Sequence, residues 1–135
     1  MERLTIYVDG ASRGNPGRAG VGVIIYDEKK NILKKIRQYL GEKTTNNVAE
    51  YVALIYALQE GLILQAKRLT VYSDSELVVK QLEGSYRIKN ELLKIFFKQI
   101  EHLREGFEEV KIKHIDREEN KEADKLANQA IDMSL

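Results

Sequence analysis

At 135 residues the chain is sized for a single domain over residues 1–135, one that buries roughly two-thirds of its unfolded surface. Its 43% hydrophobic and 32% charged residues belong to a folded polypeptide, and 22 basic against 21 acidic side chains leave a net charge of +1, so any attraction to nucleic acid or membrane must be local. Cysteine is absent, which excludes disulfides, thiolate zinc sites and cysteine nucleophiles and fits a cytoplasmic protein. Met1 leads into a strand without an apolar leader, and no stretch approaches the roughly 20 apolar residues of a membrane helix, so no membrane partner is expected.

Leu4-Thr5-Ile6-Tyr7-Val8-Asp9 predicts a first strand, Arg3 to Asp9, with a carboxylate at its end. Gly10 to Gly20 reads as a turn-rich loop holding the single proline. Val21 to Tyr26 and Ile32 to Leu40 read as second and third strands around a polar turn at Asp27 to Asn31, giving an antiparallel meander. Thr44-Thr45-Asn46-Asn47 is an N-cap cluster for a helix running to Gln59 or Glu60, with Gly61 close to its end. A fourth strand, Leu69 to Ser73, repeats the Thr-x-Tyr-x-Asp pattern of the first and runs into Asp74. Two helices follow, Ser75 to Leu82 and Asn90 to Arg104. Glu109 to Ile115 is a fifth strand, Asp116 to Asn120 a polar loop, and Lys121 to Met133 a last helix burying Ala123, Leu126, Ala127 and Ala130. The order βββαβααβα predicts an α/β fold: a five-stranded mixed sheet, three antiparallel strands then two parallel, flanked by helices.

Glu50 is the single charged residue between Thr44 and Gln59, in a helix apolar on most sides. An enclosed carboxylate is protonated, paired or bound to a metal; the bland alternative is an interaction with the positive end of the helix dipole. Asp9 and Asp74 each read singly as strand-end caps, and Asp124 as a favourable first-turn anion. Together they stand at strand ends and helix starts, the places that gather beside a crevice in an α/β sheet. If the first and fourth strands are parallel neighbours, Asp9 and Asp74 project at one edge. Converging carboxylates repel unless cations neutralise them, and hard oxygen ligands suit Mg2+ or Mn2+. Two such ions about 4 Å apart would drive phosphoryl transfer.

Gly14, Gly17 and Gly20 invite a nucleotide-loop reading, but they precede a strand where a dinucleotide loop precedes a helix, and no P-loop occurs. The exposed amides and Asn15 suit a sugar-phosphate chain instead. His114 ends the fifth strand; it is either a solvated histidine or, beside carboxylates, a proton carrier.

Four stretches, in order, resemble type 1 ribonuclease H: Tyr7-Val8-Asp9-Gly10-Ala11-Ser12-Arg13-Gly14-Asn15-Pro16-Gly17, Thr44-Thr45-Asn46-Asn47-Val48-Ala49-Glu50, Tyr72-Ser73-Asp74-Ser75, and His114-Ile115-Asp116-Arg117-Glu118-Glu119-Asn120-Lys121-Glu122-Ala123-Asp124. The resemblance implies the ribonuclease H-like fold and a metal-dependent endonuclease that hydrolyses the RNA strand of an RNA–DNA hybrid, leaving 3′-hydroxyl and 5′-phosphate ends. It implies Asp9, Glu50, Asp74 and Asp124 as ligands of two Mg2+ ions, with Mn2+ as a substitute, and Asp9 as the bridge. His114 takes the place of the assisting histidine. Gly10, Ala11, Ser12, Asn15, Thr45, Asn47 and Ser75 take the places of substrate contacts. A monomer acting on the hybrid duplex is expected.

Three features depart from the family pattern. Many members carry a tryptophan-rich basic protrusion after the helix that follows Asp74; here Glu83 to Asn90 stands there and the chain has no Trp. Glu76 replaces a glutamine found in some members. No N-terminal hybrid-binding domain is expected, so Arg13, Arg18, Lys43, Lys80, Arg87, Lys89 and Lys121 are the candidate phosphate contacts. Two alternatives stay open: a non-catalytic binding module of this fold, and another nuclease built on it.

Overall fold

The structure, a computed structural model, describes residues 2–134. The strands are β1 (Arg3–Gly14), β2 (Gly17–Tyr26), β3 (Ile32–Thr44), β4 (Arg68–Ser73) and β5 (Glu109–His114), and the helices are α1 (Asn46–Ile63), α2 (Glu76–Leu82), α3 (Glu91–Arg104) and α4 (Lys121–Asp132). They build one sheet in the order β3-β2-β1-β4-β5, antiparallel from β3 to β1 and parallel from β1 to β5. The expected five-stranded mixed sheet and the order of elements along the chain, βββαβααβα, are therefore found. No helix among the described residues is long and apolar enough to cross a membrane.

The Thr-x-Tyr echo proves to be spatial. β1 and β4 are parallel neighbours with Thr5 opposite Thr70 and Tyr7 opposite Tyr72, and the two tyrosine rings stack at 5.1 Å. The last pair is Val8 with Ser73, so Asp9 and Asp74 both follow it at one edge.

Alternation along the strands separates two faces. Leu4, Ile6, Val8, Val21, Val23, Ile25, Leu69 and Val71 turn to one side and meet Tyr51, Leu54, Ala57 and Leu58 of α1, with Val78 of α2 and Leu93 and Ile100 of α3 behind. On the other side α4 lies against β2. A Cβ at Gly22 would stand 2.1 Å from the Ala123 carbonyl oxygen, so the glycine, facing Asp9 across the ladder, lets α4 approach the sheet.

Several boundaries differ from the sequence expectation. β1 does not stop at Asp9, and the glycine-rich stretch is no loop. It is a hairpin whose arms pair from Thr5–Tyr26 to Gly14–Gly17 around a cis Asn15–Pro16 peptide. Backbone pairing with β2 continues where pairing with β4 ends, which composition does not reveal. β3 likewise runs to Thr44, with register shifts near Gly17, Ala19 and Tyr26. α1 passes through Gly61 to Ile63 because the missing side chain admits Leu69 and Phe107. β5 ends at His114, and the loop after it contains a short 3-10 turn, Arg117–Glu119.

Candidate active site

Three carboxylates reach one point from three elements. Asp9 comes from β1, Asp74 from the residue after β4, and Glu50 from the second turn of α1; one oxygen of each lies within 4.8 Å of the others. Asp9 is 4% and Glu50 8% exposed, while Asp74 is half-buried. Thr45 starts α1 by accepting a hydrogen bond from the Val48 amide at 3.2 Å, which fixes the phase of the helix and so the direction of Glu50. Gly10 brings that helix close: a Cβ there would lie 2.3 Å from the Ala49 carbonyl carbon.

Burial raises both the Asp9 and Glu50 carboxyls far above the usual carboxylate range, Glu50 to about 8. The charges of Glu50 and Asp74 push Asp9 further up, and that of Asp74 adds to Glu50. A hydrogen bond with Asp9, the Gly10 amide and the Arg117 guanidinium act on Glu50 in the opposite sense. Glu50 Oε2 is buried without any hydrogen-bond partner. An orphaned acceptor costs about 1–3 kcal/mol, more when charged. A divalent cation would satisfy that oxygen and cancel the repulsion, and the all-oxygen donor set fits Mg2+ or Mn2+.

Asp74 does not cap α2; Ser75 does, accepting from the Val78 amide at 3.3 Å. α1 has no acidic residue in its first turn, so the helix dipole does not explain Glu50. Asp124 does occupy the first turn of α4, and its carboxyl is close enough to help raise that of Asp9. It stands outside the tight triad, held by Asn128 Nδ2, which donates to its Oδ1 at 3.2 Å.

The acids open into a cleft of about 430 Å³. Of the expected substrate contacts, Gly10, Ala11, Ser12, Asn47 and Ser75 line it. Asn15 and Thr45 shape its wall instead: Asn15 Oδ1 accepts from the Asn46 amide at 3.0 Å, tying the hairpin to the start of α1, and Thr45 is the cap. Ser12 Oγ donates to the Thr44 carbonyl at 2.7 Å, joining the same hairpin to the end of β3. His114 is exposed at the end of β5, opposite Ser73 and outside the lining. Glu76 is exposed in the first turn of α2.

Sequence reasoning passed over Asn46, Arg117, Asn120 and Asn128. Arg117, Asn46 and Asn128 line the cleft, and Asn120 donates to Asp74. Polar residues in a loop or on a helix surface carry no periodic signal. A larger cavity, about 680 Å³, is floored by Thr5, Tyr7, Ile24 and Tyr26 beside the start of α4. The carboxylate triad lies in the smaller one, and chemistry rather than size marks the site.

A family described as reverse transcriptase-like matches residues 7–130. The bifunctional protein Rv2228c of Mycobacterium tuberculosis is 39% identical over 132 residues, and the match covers 96% of this chain but 36% of that protein, so the chain spans about a third of that relative's length. The ribonuclease H1 of the archaeon Halobacterium salinarum superposes with a TM-score of 0.92 at 38% identity, covering 96% of this chain and 98% of that one. LC11 ribonuclease H1, solved in complex with an RNA/DNA hybrid, gives 0.89 at 46% identity over 96% of each chain. Similarity of this extent, on a sheet that gathers the acids at one edge, makes the chain a member of the ribonuclease H family.

Proposed function

We propose that this chain is an endonuclease that hydrolyses the RNA strand of RNA–DNA hybrids, leaving 3′-hydroxyl and 5′-phosphate ends. The observation that supports this most is the triad of Asp9, Glu50 and Asp74 with its orphaned Glu50 oxygen. Asp9, Glu50, Asp74 and Asp124 would hold two Mg2+ ions, or Mn2+ in their place. Bound there, the ions supply Lewis-acid stabilisation of the attacking and leaving oxygens.

The chain's own groups do the rest. Gly10, Ala11 and Ser12 offer a smooth edge of strand that a sugar-phosphate backbone can approach closely. Asn46, Asn47 and Ser75, from the starts of α1 and α2, present short polar groups suited to 2′-hydroxyls and to the partner-strand phosphates of a wide minor groove. Arg117 places a guanidinium beside Glu50, where a phosphate would arrive. His114 would accept or deliver a proton from the β5 edge. α2 and α3 are joined by residues 83–90, so this chain would grip the hybrid mainly along the cleft.

The relatives lend support in kind: LC11 ribonuclease H1 is a hybrid-bound homologue of the same size. The test is digestion of matched RNA–DNA, RNA–RNA and DNA–DNA duplexes in Mg2+. Cleavage confined to the RNA of the hybrid is expected; hybrid binding without cleavage would make the chain a binding module instead.

A further inference from the structure

Asn120 is 1% exposed and belongs to none of the roles above. Its Nδ2 donates to the Val8 carbonyl at 2.8 Å and to Asp74 Oδ2 at 3.2 Å. Val8 immediately precedes Asp9. The Asn120 carbonyl accepts from the Asp124 amide at 3.1 Å, the bond that opens α4. One residue thus touches the chain beside Asp9, the Asp74 carboxylate itself and the amide of Asp124.

The contacts run against what asparagine does best at this position. Asn120 is the N-cap of α4, where its side-chain oxygen would ordinarily accept from the first turn, yet it makes no capping hydrogen bond. Its Oδ1 is instead buried without a partner. Both groups facing Nδ2 are pure acceptors, so the amide presents its NH2 to them, and the orphaned oxygen is the consequence. A residue serving helix stability alone would turn the other way. We propose that Asn120 is a positioning residue that holds Asp9, Asp74 and Asp124 in the arrangement that binds divalent metal. This inference rests on the carboxylates being metal ligands, as in the function proposed above.

The variant Asn120→Ser keeps a capping side chain and removes the inward donor; Asn120→Ala is its companion. Mn2+ binding to the full chain is measured by calorimetry without nucleic acid, alongside thermal melting of the metal-free protein and the Mg2+ dependence of hybrid cleavage. The Mn2+ dissociation constant should rise about 10-fold, the scale of losing a group that orients a metal ligand. The Mg2+ needed for half-maximal cleavage should rise with it, while Asn120→Ser melts no lower than the parent. Unchanged Mn2+ affinity in a folded variant overturns the proposal, as does failure of both variants to fold, which would make the residue a determinant of the fold. A parent that binds Mn2+ but cuts no hybrid removes the proposed function, and the variant affinities still decide the role of Asn120. A parent that binds no Mn2+ overturns both.

Discussion

Gly10 lies directly against the backbone of Glu50: a Cβ on Gly10 would stand 2.4 Å from the Glu50 amide nitrogen. Strand β1 thereby sets how near α1 can bring Glu50 to Asp9. Gly10→Ala forces backbone apart, because no flexible side chain is there to yield. The expected result is a folded protein destabilised by about 1–3 kcal/mol, the cost of overpacking. Its cleavage rate should drop about 100-fold, the effect of displacing a reacting group by about 1 Å. Melting curves and single-turnover rates check the two parts separately.

Asp9→Asn and Glu50→Gln remove charge from a buried cluster in which Glu50 and Asp74 raise the Asp9 carboxyl and Asp74 raises that of Glu50. Each should lower cleavage by about 1,000-fold or more, as expected for a principal transition-state contact. Each should leave the metal-free fold as stable as the parent or more so, by about 1–3 kcal/mol. Chemical denaturation of the metal-free proteins measures the second effect; a large loss of stability would mean that the acids hold the fold rather than a metal.

The raised carboxyls carry a pH signature. A group whose folded pKa exceeds its unfolded value binds more protons folded than unfolded, so stability falls as pH rises between the two. For Glu50 that window runs from its ordinary 4.5 to about 8. The slope amounts to about 1.4 kcal/mol per pH unit for each proton held in excess. Metal-free protein should therefore melt at a lower temperature near pH 8 than near pH 5, and Mg2+ should raise the melting temperature most at the upper end. Glu50→Gln should flatten the dependence; identical slopes for parent and variant would show that the carboxyl does not titrate in this way.

His114 stands exposed at the β5 edge, outside the cleft lining. His114→Ala should slow cleavage by about 100-fold, the low end of proton-transfer contributions, without changing Mg2+ dependence. Steady-state kinetics across the Mg2+ range check this. A raised Mg2+ requirement would give the histidine a role in metal binding, and complete loss at saturating Mg2+ would make it indispensable to the chemical step.

Much of the sheet was legible because local signals agreed. β-branched runs marked β1, β2, β4 and β5, the Thr-x-Tyr echo raised the parallel β1–β4 pair as a condition, and one carboxylate in an apolar stretch singled out Glu50. The hairpin from Gly10 to Gly20 was illegible because its pairing depends on β2, while glycine and proline locally read as a turn. Asn15 and Thr45 are expected as substrate contacts, and the hydrogen bonds by which they also hold the start of α1 are not visible in the sequence. Asn120 was hidden altogether: nothing in a polar loop shows that one amide will meet the carbonyl of Val8 and the carboxylate of Asp74. Contacts between residues far apart in the chain are set by the packing of α4 on β2, which no sequence window contains.

The most direct measurement is a Mg2+ titration of hybrid cleavage by protein first stripped of metal with a chelator. No cleavage is expected at the start, then saturable recovery as Mg2+ is added, with 5′-phosphates on the RNA products and the DNA strand intact. Undiminished cleavage by the stripped protein would contradict this expectation, and so would recovery by Glu50→Gln at the parent's Mg2+ concentration.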